Sequence, residues 1–135
     1  VLDRRDKILY VAGLIDGEAW IGVRVHNKSR TYTPAISINM TEEAPLELLK
    51  ELFGGMIKFS ERTKYNKNAK PIYTWEIGGN TCLPILREIR PYLLIKGSRI
   101  DVISKSKWEP YGRKNNIPDD ERALRKSIYE ELRVR

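Results

Sequence analysis

The stretch YVAGLIDGEAWIGV, Tyr10 to Val23, sets two demands against each other. With the charged Arg4, Arg5, Asp6 and Lys7 ahead of it, the nearly unbroken apolar run Ile8–Ile15 reads as a helix over residues 4–16. Such a run is too apolar for a surface helix and is expected to be buried on more than one side. Yet it ends on Asp16 and Glu18, where the partial negative charge of a helix C-terminus favours a cation. Gly13 inside it costs about 1 kcal/mol relative to alanine. Close approach of a second backbone at Ala12 and Gly13 would compensate. If that backbone is the same helix of another copy of the chain, a two-fold axis runs beside Gly13 and Gly17, and two Glu18 side chains become neighbours. Paired carboxylates resist ionisation unless a cation lies between them. Magnesium, which takes carboxylates, carbonyls and waters, suits such a pair.

Beyond the helix the hydrophobic period changes to two. In WIGVRVHNK, Ile21, Val23 and Val25 alternate with Arg24, His26 and Lys28; in TYTPAISINMT, Ile36, Ile38 and Met40 alternate with Ser37, Asn39 and Thr41. These strands form a hairpin. Thr41 with two glutamates reads as an N-cap and acidic first turn, Pro45 suits the start of a helix, and Gly54-Gly55 stops it. A second hairpin sets Ile57 and Phe59, then Tyr73, Trp75 and Ile77, on one face. Residues 81–89 and 92–107 read as two helices broken near Pro91, and 118–132 as a last, charged helix beyond a short polar linker. The expected architecture is α+β, in the order αββαββα, with helices on one face of a four-stranded antiparallel sheet.

At 135 residues the chain suits one domain, residues 1–135, with a core over about 4–107. No apolar run approaches a membrane span and no secretory signal is read, so membrane association is not expected. The single cysteine, Cys82, excludes an internal disulfide and fits a reducing, intracellular setting, whether prokaryotic cytoplasm or organelle. Twenty-five basic against 18 acidic side chains leave a net charge of +7, which favours an anionic partner.

The sheet face away from the helices is expected to present Arg24, His26, Lys28, Ser37, Asn39, Thr41, Lys58, Ser60, Arg62, Lys64, Thr74 and Glu76. Arginine and lysine match guanine, asparagine matches adenine and glutamate matches cytosine. Lysines at the turns, Lys28, Lys64, Lys67 and Lys70, suit phosphates. A strand of about ten residues spans about 33 Å, enough to follow roughly ten base pairs of major groove.

The segment Val11–Ala19, VAGLIDGEA, resembles the nine-residue motif of the LAGLIDADG homing endonucleases, and the element order over about residues 4–107 agrees with that family's repeat. One motif in a chain of this size resembles the homodimeric members. The resemblance implies a site-specific double-strand DNA endonuclease that cuts a long near-palindrome by metal-assisted phosphodiester hydrolysis, leaving short 3′ overhangs. It implies magnesium, with manganese as a substitute. Glu18 is then the direct metal ligand and Gly17 offers its carbonyl, while Asp16 is more structural, tying the helix pair together with Ala12 and Gly13. Lys96 matches a basic residue near the active site, and Asn39 or Thr41 the polar side chain that positions water. Ala19 departs from the usual final glycine, which puts the local turn in question but not the carboxylate. The alternative reading is a derivative of the same fold that does not cut: an intron-RNA maturase or a DNA-binding protein. A structural dimerisation protein is a further rival.

Overall fold

A computed structural model describes residues 2–26, 31–61, 67–68, 70–112 and 116–134. Among the described residues, five α-helices accompany one sheet: α1 (Arg4–Glu18), β1 (Trp20–His26), β2 (Thr31–Met40), α2 (Ala44–Phe53), β3 (Met56–Ser60), β4 (Ile72–Gly78), α3 (Cys82–Ile89), α4 (Gly97–Ile103) and α5 (Asp119–Arg133). The strands run antiparallel in the order β1-β2-β4-β3. The expected α+β architecture is the observed one.

Alternation explains the layering. Ile21 pairs with Ile36, Ile36 with Ile77, and Ile38 with Trp75, so one sheet face is a continuous apolar surface. Val11 and Ile15 of α1, Leu46 and Leu49 of α2, and Leu86 and Ile89 of α3 close over it. Each such side chain contributes about 2 kcal/mol by leaving water. Trp75 is fully buried, and its indole nitrogen donates to the Gly54 carbonyl at 2.9 Å, which ties the end of α2 to the sheet. Phe59 lies on the same face but beyond the helical cover, its ring tilted against Tyr73 with centroids 5.3 Å apart, and it is 57% exposed.

Several expectations are corrected. The first helix continues through Gly17 to Glu18, so both acids sit in its last turn. It is anchored at its other end by Asp3, whose carboxylate accepts from the Asp6 amide at 2.8 Å. Thr41 is not an N-cap: the capping position of α2 is Glu43, without a side-chain cap bond, and Pro45 occupies the first turn. Residues 92–107 are not one helix. After a 3-10 turn at Arg90–Tyr92 the chain is extended at Leu93, and α4 begins only at Gly97.

The last helix is less solvated than its charge suggests. Ile128 and Leu132 enter the core, and Tyr129 packs on Tyr32 of β2 with ring centroids 5.5 Å apart. Arg125, in the middle of this charged helix, is buried. Its Nε donates to Glu121 at 2.9 Å, its Nη2 to the Glu109 carbonyl at 2.9 Å, and its guanidinium lies over Trp108. Trp108 in turn donates to the Ile103 carbonyl at 2.8 Å, so the start of the linker is pinned to the core. Lys126 stays exposed, 4.0 Å from Glu130.

The turn after α2 depends on a glycine. Gly55 has φ of 92°, and a Cβ there would lie 2.6 Å from Ile77 Cγ1 and 2.9 Å from Trp75 Nε1. Gly55→Ala should therefore destabilise the protein by about 2 kcal/mol or more, from the unfavourable φ and the clash together. Urea denaturation checks this; an unchanged midpoint would contradict the packing described.

Candidate metal and nucleic-acid site

The two acids of α1 are two residues apart, about 200° around a helix, so they face opposite ways. Asp16 turns inward. Its carboxylate accepts from three consecutive backbone amides: Leu94 at 2.9 Å (Oδ2), Ile95 at 2.9 Å (Oδ1) and 3.1 Å (Oδ2), and Lys96 at 2.9 Å (Oδ1). Burial pushes this carboxyl up, but the three amides, with the Lys96 charge, outweigh it and hold the pKa below its ordinary value. Glu18 turns outward. Its carboxylate is exposed and has no hydrogen-bond or ion-pair partner among the described residues.

The Asp16 clasp delivers Lys96. That lysine is half-buried, and its Nζ donates to the Ile15 carbonyl at 3.3 Å. The cation absent from the last turn of α1 is thus supplied from 81 positions away in sequence. Burial lowers the Lys96 pKa; the Asp16 and Glu18 charges work against that, and Arg99 adds to it. Lys96 and Glu18 are therefore within electrostatic reach of one another.

Gly17 and Glu18 offer hard oxygen donors, a backbone carbonyl in a helix's last turn and a carboxylate. Among the described residues no three of His, Cys, Asp and Glu converge. The donor chemistry fits magnesium, which keeps waters and shares its shell with substrate phosphate, but one chain supplies only part of that shell.

The burial of α1 corrects part of the expected dimer surface. Ala12 is fully buried and packs into its own chain's core, and Asp16 is occupied within the chain, so neither presents a surface to a partner. Gly13 and Gly17 are exposed, and a Cβ at either would meet nothing within 4 Å. They continue a stripe with Leu9 and Tyr10, which are 43% and 52% exposed. Leu94 and Ile95, held outward by the Asp16 clasp, are 96% and 71% exposed.

On the sheet, part of the polar face expected away from the helices can be placed by register. Arg24, Ser37, Asn39, Lys58, Thr74 and Glu76 share one face by register. His26 and Ser60 end their strands on that face and are exposed. Thr41 lies exposed just past β2, and Lys67 and Lys70 are exposed between β3 and β4. Lys28, Arg62 and Lys64 lie outside the described residues. Asn39 accepts from the Thr74 hydroxyl at 2.6 Å. Because Trp20 pairs with Ser37, the Asn39 end of β2 lies at the same end of the sheet as the α1–β1 junction that carries Glu18. Glu76 is engaged by both Lys58 and Arg24, and these bonds, the lysine's first, hold its pKa below the ordinary value although burial opposes them.

Sequence reasoning missed Trp20 and Arg99. Arg99 donates from Nε to the Ile21 carbonyl at 2.7 Å. With Lys96, Trp20 and His26 it lines a groove of about 750 Å³ along the open edge of β1. Its place one turn beyond Lys96 is a signal only once α4 is known to start at Gly97.

The arrangement is that of a sheet-based α+β protein with a helix-borne carboxylate at one end of a polar sheet face. By sequence, no protein-family model and no curated protein matches the chain. Solved structures match in fold. The homing endonuclease I-CvuI, in complex with the I-CreI target in the presence of magnesium with DNA not cleaved, aligns at a TM-score of 0.72 and 15% identity, over 95% of this chain and 80% of that one. The I-SmaMI LAGLIDADG homing endonuclease bound to cleaved DNA aligns at 0.60 and 18%, over 99% of this chain and 47% of that one. The homing endonuclease I-TnaI aligns at 0.53 and 17%, over 93% and 97%. The chain has the LAGLIDADG homing-endonuclease fold.

Replacing Asp16 by Asn puts an NH2 group against amide donors and removes the charge, at a cost of about 2 kcal/mol. The melting temperature should fall on the order of 5–10 °C. Since the folded-state pKa is depressed, the stabilisation is whole above the unfolded value near 3.9 and is lost as pH falls through the lower folded value. Melting curves from pH 2 to 7 should show that acid limb in the wild type and a weaker one in Asp16→Asn. Coincident curves would refute the clasp.

Proposed function

We propose that the protein is a site-specific, divalent-metal-dependent DNA endonuclease that works as a homodimer. The observation that carries this reading is the divergence of the two acids. Asp16 is saturated by amides, whereas Glu18 is exposed with no partner among the described residues, near a half-buried lysine and at one end of a polar sheet face. A protein that only bound DNA would have no use for an unneutralised carboxylate facing phosphate.

Two copies would meet along the exposed stripe of α1. Glycines with open space above them permit close helix approach, and the adjoining Leu9, Tyr10, Leu94 and Ile95 form an apolar surface that monomers rarely expose. The solved I-SmaMI chain, of which this chain spans 47%, fits the idea that one copy is half of a complete unit. The dimer would bring the two Glu18 carboxylates and Gly17 carbonyls together as ligands for magnesium, or manganese in its place. When bound, such ions activate water and neutralise charge on the attacking and leaving oxygens of a phosphodiester.

The chain's own residues do the rest. Lys96, anchored by its backbone amide to Asp16, would hold a cationic group against the scissile phosphate. Asn39 or Thr41 would orient water at the end of β2. Arg24, His26, Ser37, Asn39, Lys58, Ser60, Arg62 and Thr74 would face the bases of one half-site, with Glu76 between Arg24 and Lys58, and with Lys28, Lys64, Lys67 and Lys70 on phosphates. Two half-sites make a near-palindrome of roughly twenty base pairs, cut once per strand to leave short 3′ overhangs.

Cleavage of a plasmid library of near-palindromes with and without magnesium tests the chemistry. Wild type should cut one narrow class of site only with metal; Glu18→Gln should bind that class and lose cleavage by at least 100-fold. Binding without any wild-type cleavage would move the function to a non-cutting DNA or RNA binder. For the dimer, Gly13→Leu should leave the monomer folded, with melting unchanged or raised, because leucine is the better helix former. Sedimentation should show its self-association lost; a dimer that survives would place the interface elsewhere.

A further inference from the structure

The outward sheet face contains a trough that no motif marks. Register sets Gly22 of β1, Ala35 of β2 and Gly78 of β4 in one row, with no side chain larger than a methyl group. The rows on either side carry Trp20, Ser37 and Glu76, and Arg24 and Thr33. Both large neighbours on β1 fold into the gap. A Cβ at Gly22 would stand 2.7 Å from the Trp20 ring, and one at Gly78 would stand 3.9 Å from Arg24 Nη1. The Arg24 guanidinium carbon is 5.8 Å from the Trp20 ring centroid.

Arg24 therefore lies along the sheet instead of projecting from it. Its row and that of Glu76 lie on either side of the trough, about 13 Å apart along the strands, and the two side chains span that gap together, Nη2 donating to Glu76 Oε2 at 3.1 Å. Glu76 Oε1 takes Lys58 Nζ at 2.5 Å. The carboxylate is only 21% exposed and both its oxygens are engaged, so it is poorly placed to accept from cytosine as its residue type suggested. It sits between two cations of the sheet face, Arg24 and Lys58, instead.

We infer that Glu76 is a specificity-positioning residue: it latches Arg24 and Lys58 across the Gly22–Ala35–Gly78 trough, so that both cations meet fixed base positions in the DNA groove. This rests on the DNA-reading role proposed above. Three consequences follow from the geometry. Side chains already held in the free protein lose less rotamer freedom on binding. An arginine with one nitrogen occupied keeps other N–H donors for a guanine edge. A carboxylate on the floor of the face lowers the local charge from two to one, which weakens attachment to phosphates of any sequence and so favours the correct site over the wrong one.

The test is binding-site selection from a randomised double-stranded DNA library with the full-length protein, comparing wild type, Glu76→Gln and Gly78→Val. The first substitution removes the latching charge. The second keeps it but fills the trough with a branched side chain at a position whose φ of −127° any residue adopts, displacing Arg24. Melting curves confirm that each variant is folded. Expected is loss of discrimination, by roughly tenfold, at the same one or two base pairs per half-site in both variants, with preferences elsewhere retained. Glu76→Gln alone should also steepen the dependence of binding on salt, by about one counterion per chain. A defined wild-type site with identical base preferences in both variants overturns the latch and leaves the endonuclease reading standing. A wild type that selects no site overturns that reading and the latch with it.

Discussion

A carboxylate buried at the end of a helix holds one end of this molecule together. Asp16 accepts three consecutive amides from residues 94–96, and an ionised group in that position is tolerable only because those donors replace the water it lost. The clasp joins the first helix to the segment entering α4. It turns Leu94 and Ile95 outward, brings Lys96 to the last turn of α1, and so sets the start of the helix that carries Arg99. Without it the exposed Glu18 would face no organised cation, and the apolar stripe of α1 would end at Gly17.

The same helix thus has an inner and an outer task. Ile8, Val11, Ala12, Ile15 and Asp16 secure it to its own chain, and Leu9, Tyr10, Gly13 and Gly17 are left for another surface. The run from Ile8 to Ile15 is apolar on both flanks, and this chain covers one of them. The sheet divides in a similar way. Its apolar face is fixed by interdigitation with α1, α2 and α3, while its polar face is organised by contacts between side chains: Asn39 with Thr74, and Arg24 and Lys58 with Glu76. Such contacts hold the side chains before any partner arrives.

Much of this was legible in advance because strand alternation and the helix-ending glycines are local signals. Ile21, Ile36, Ile38, Trp75 and Ile77 pointed to the core and Arg24, Ser37 and Lys58 away from it, as period two requires. The break at residues 93–96 was not legible, since Tyr-Leu-Leu-Ile-Lys is a plausible helical run and the group that unwinds it lies in α1. Nor was the burial of Arg125, an arginine among charged neighbours whose partners, Glu109 and Trp108, come from the linker. Thr41 had the composition of a cap, but the chain takes two further residues to turn into α2.

The sequence by itself determined the order of elements, the two faces of the sheet, and the pairing of two acids with small residues at the end of an apolar helix. These follow from the periods of 3.6 and 2 and from the conformational demands of glycine, which act within a few residues. Only the tertiary structure decided which acid is structural and which is exposed, where Lys96 stands, and that Arg24 lies in a trough against Glu76. Each of those depends on groups from distant segments meeting in three dimensions, and one-dimensional periodicity carries no record of such distances.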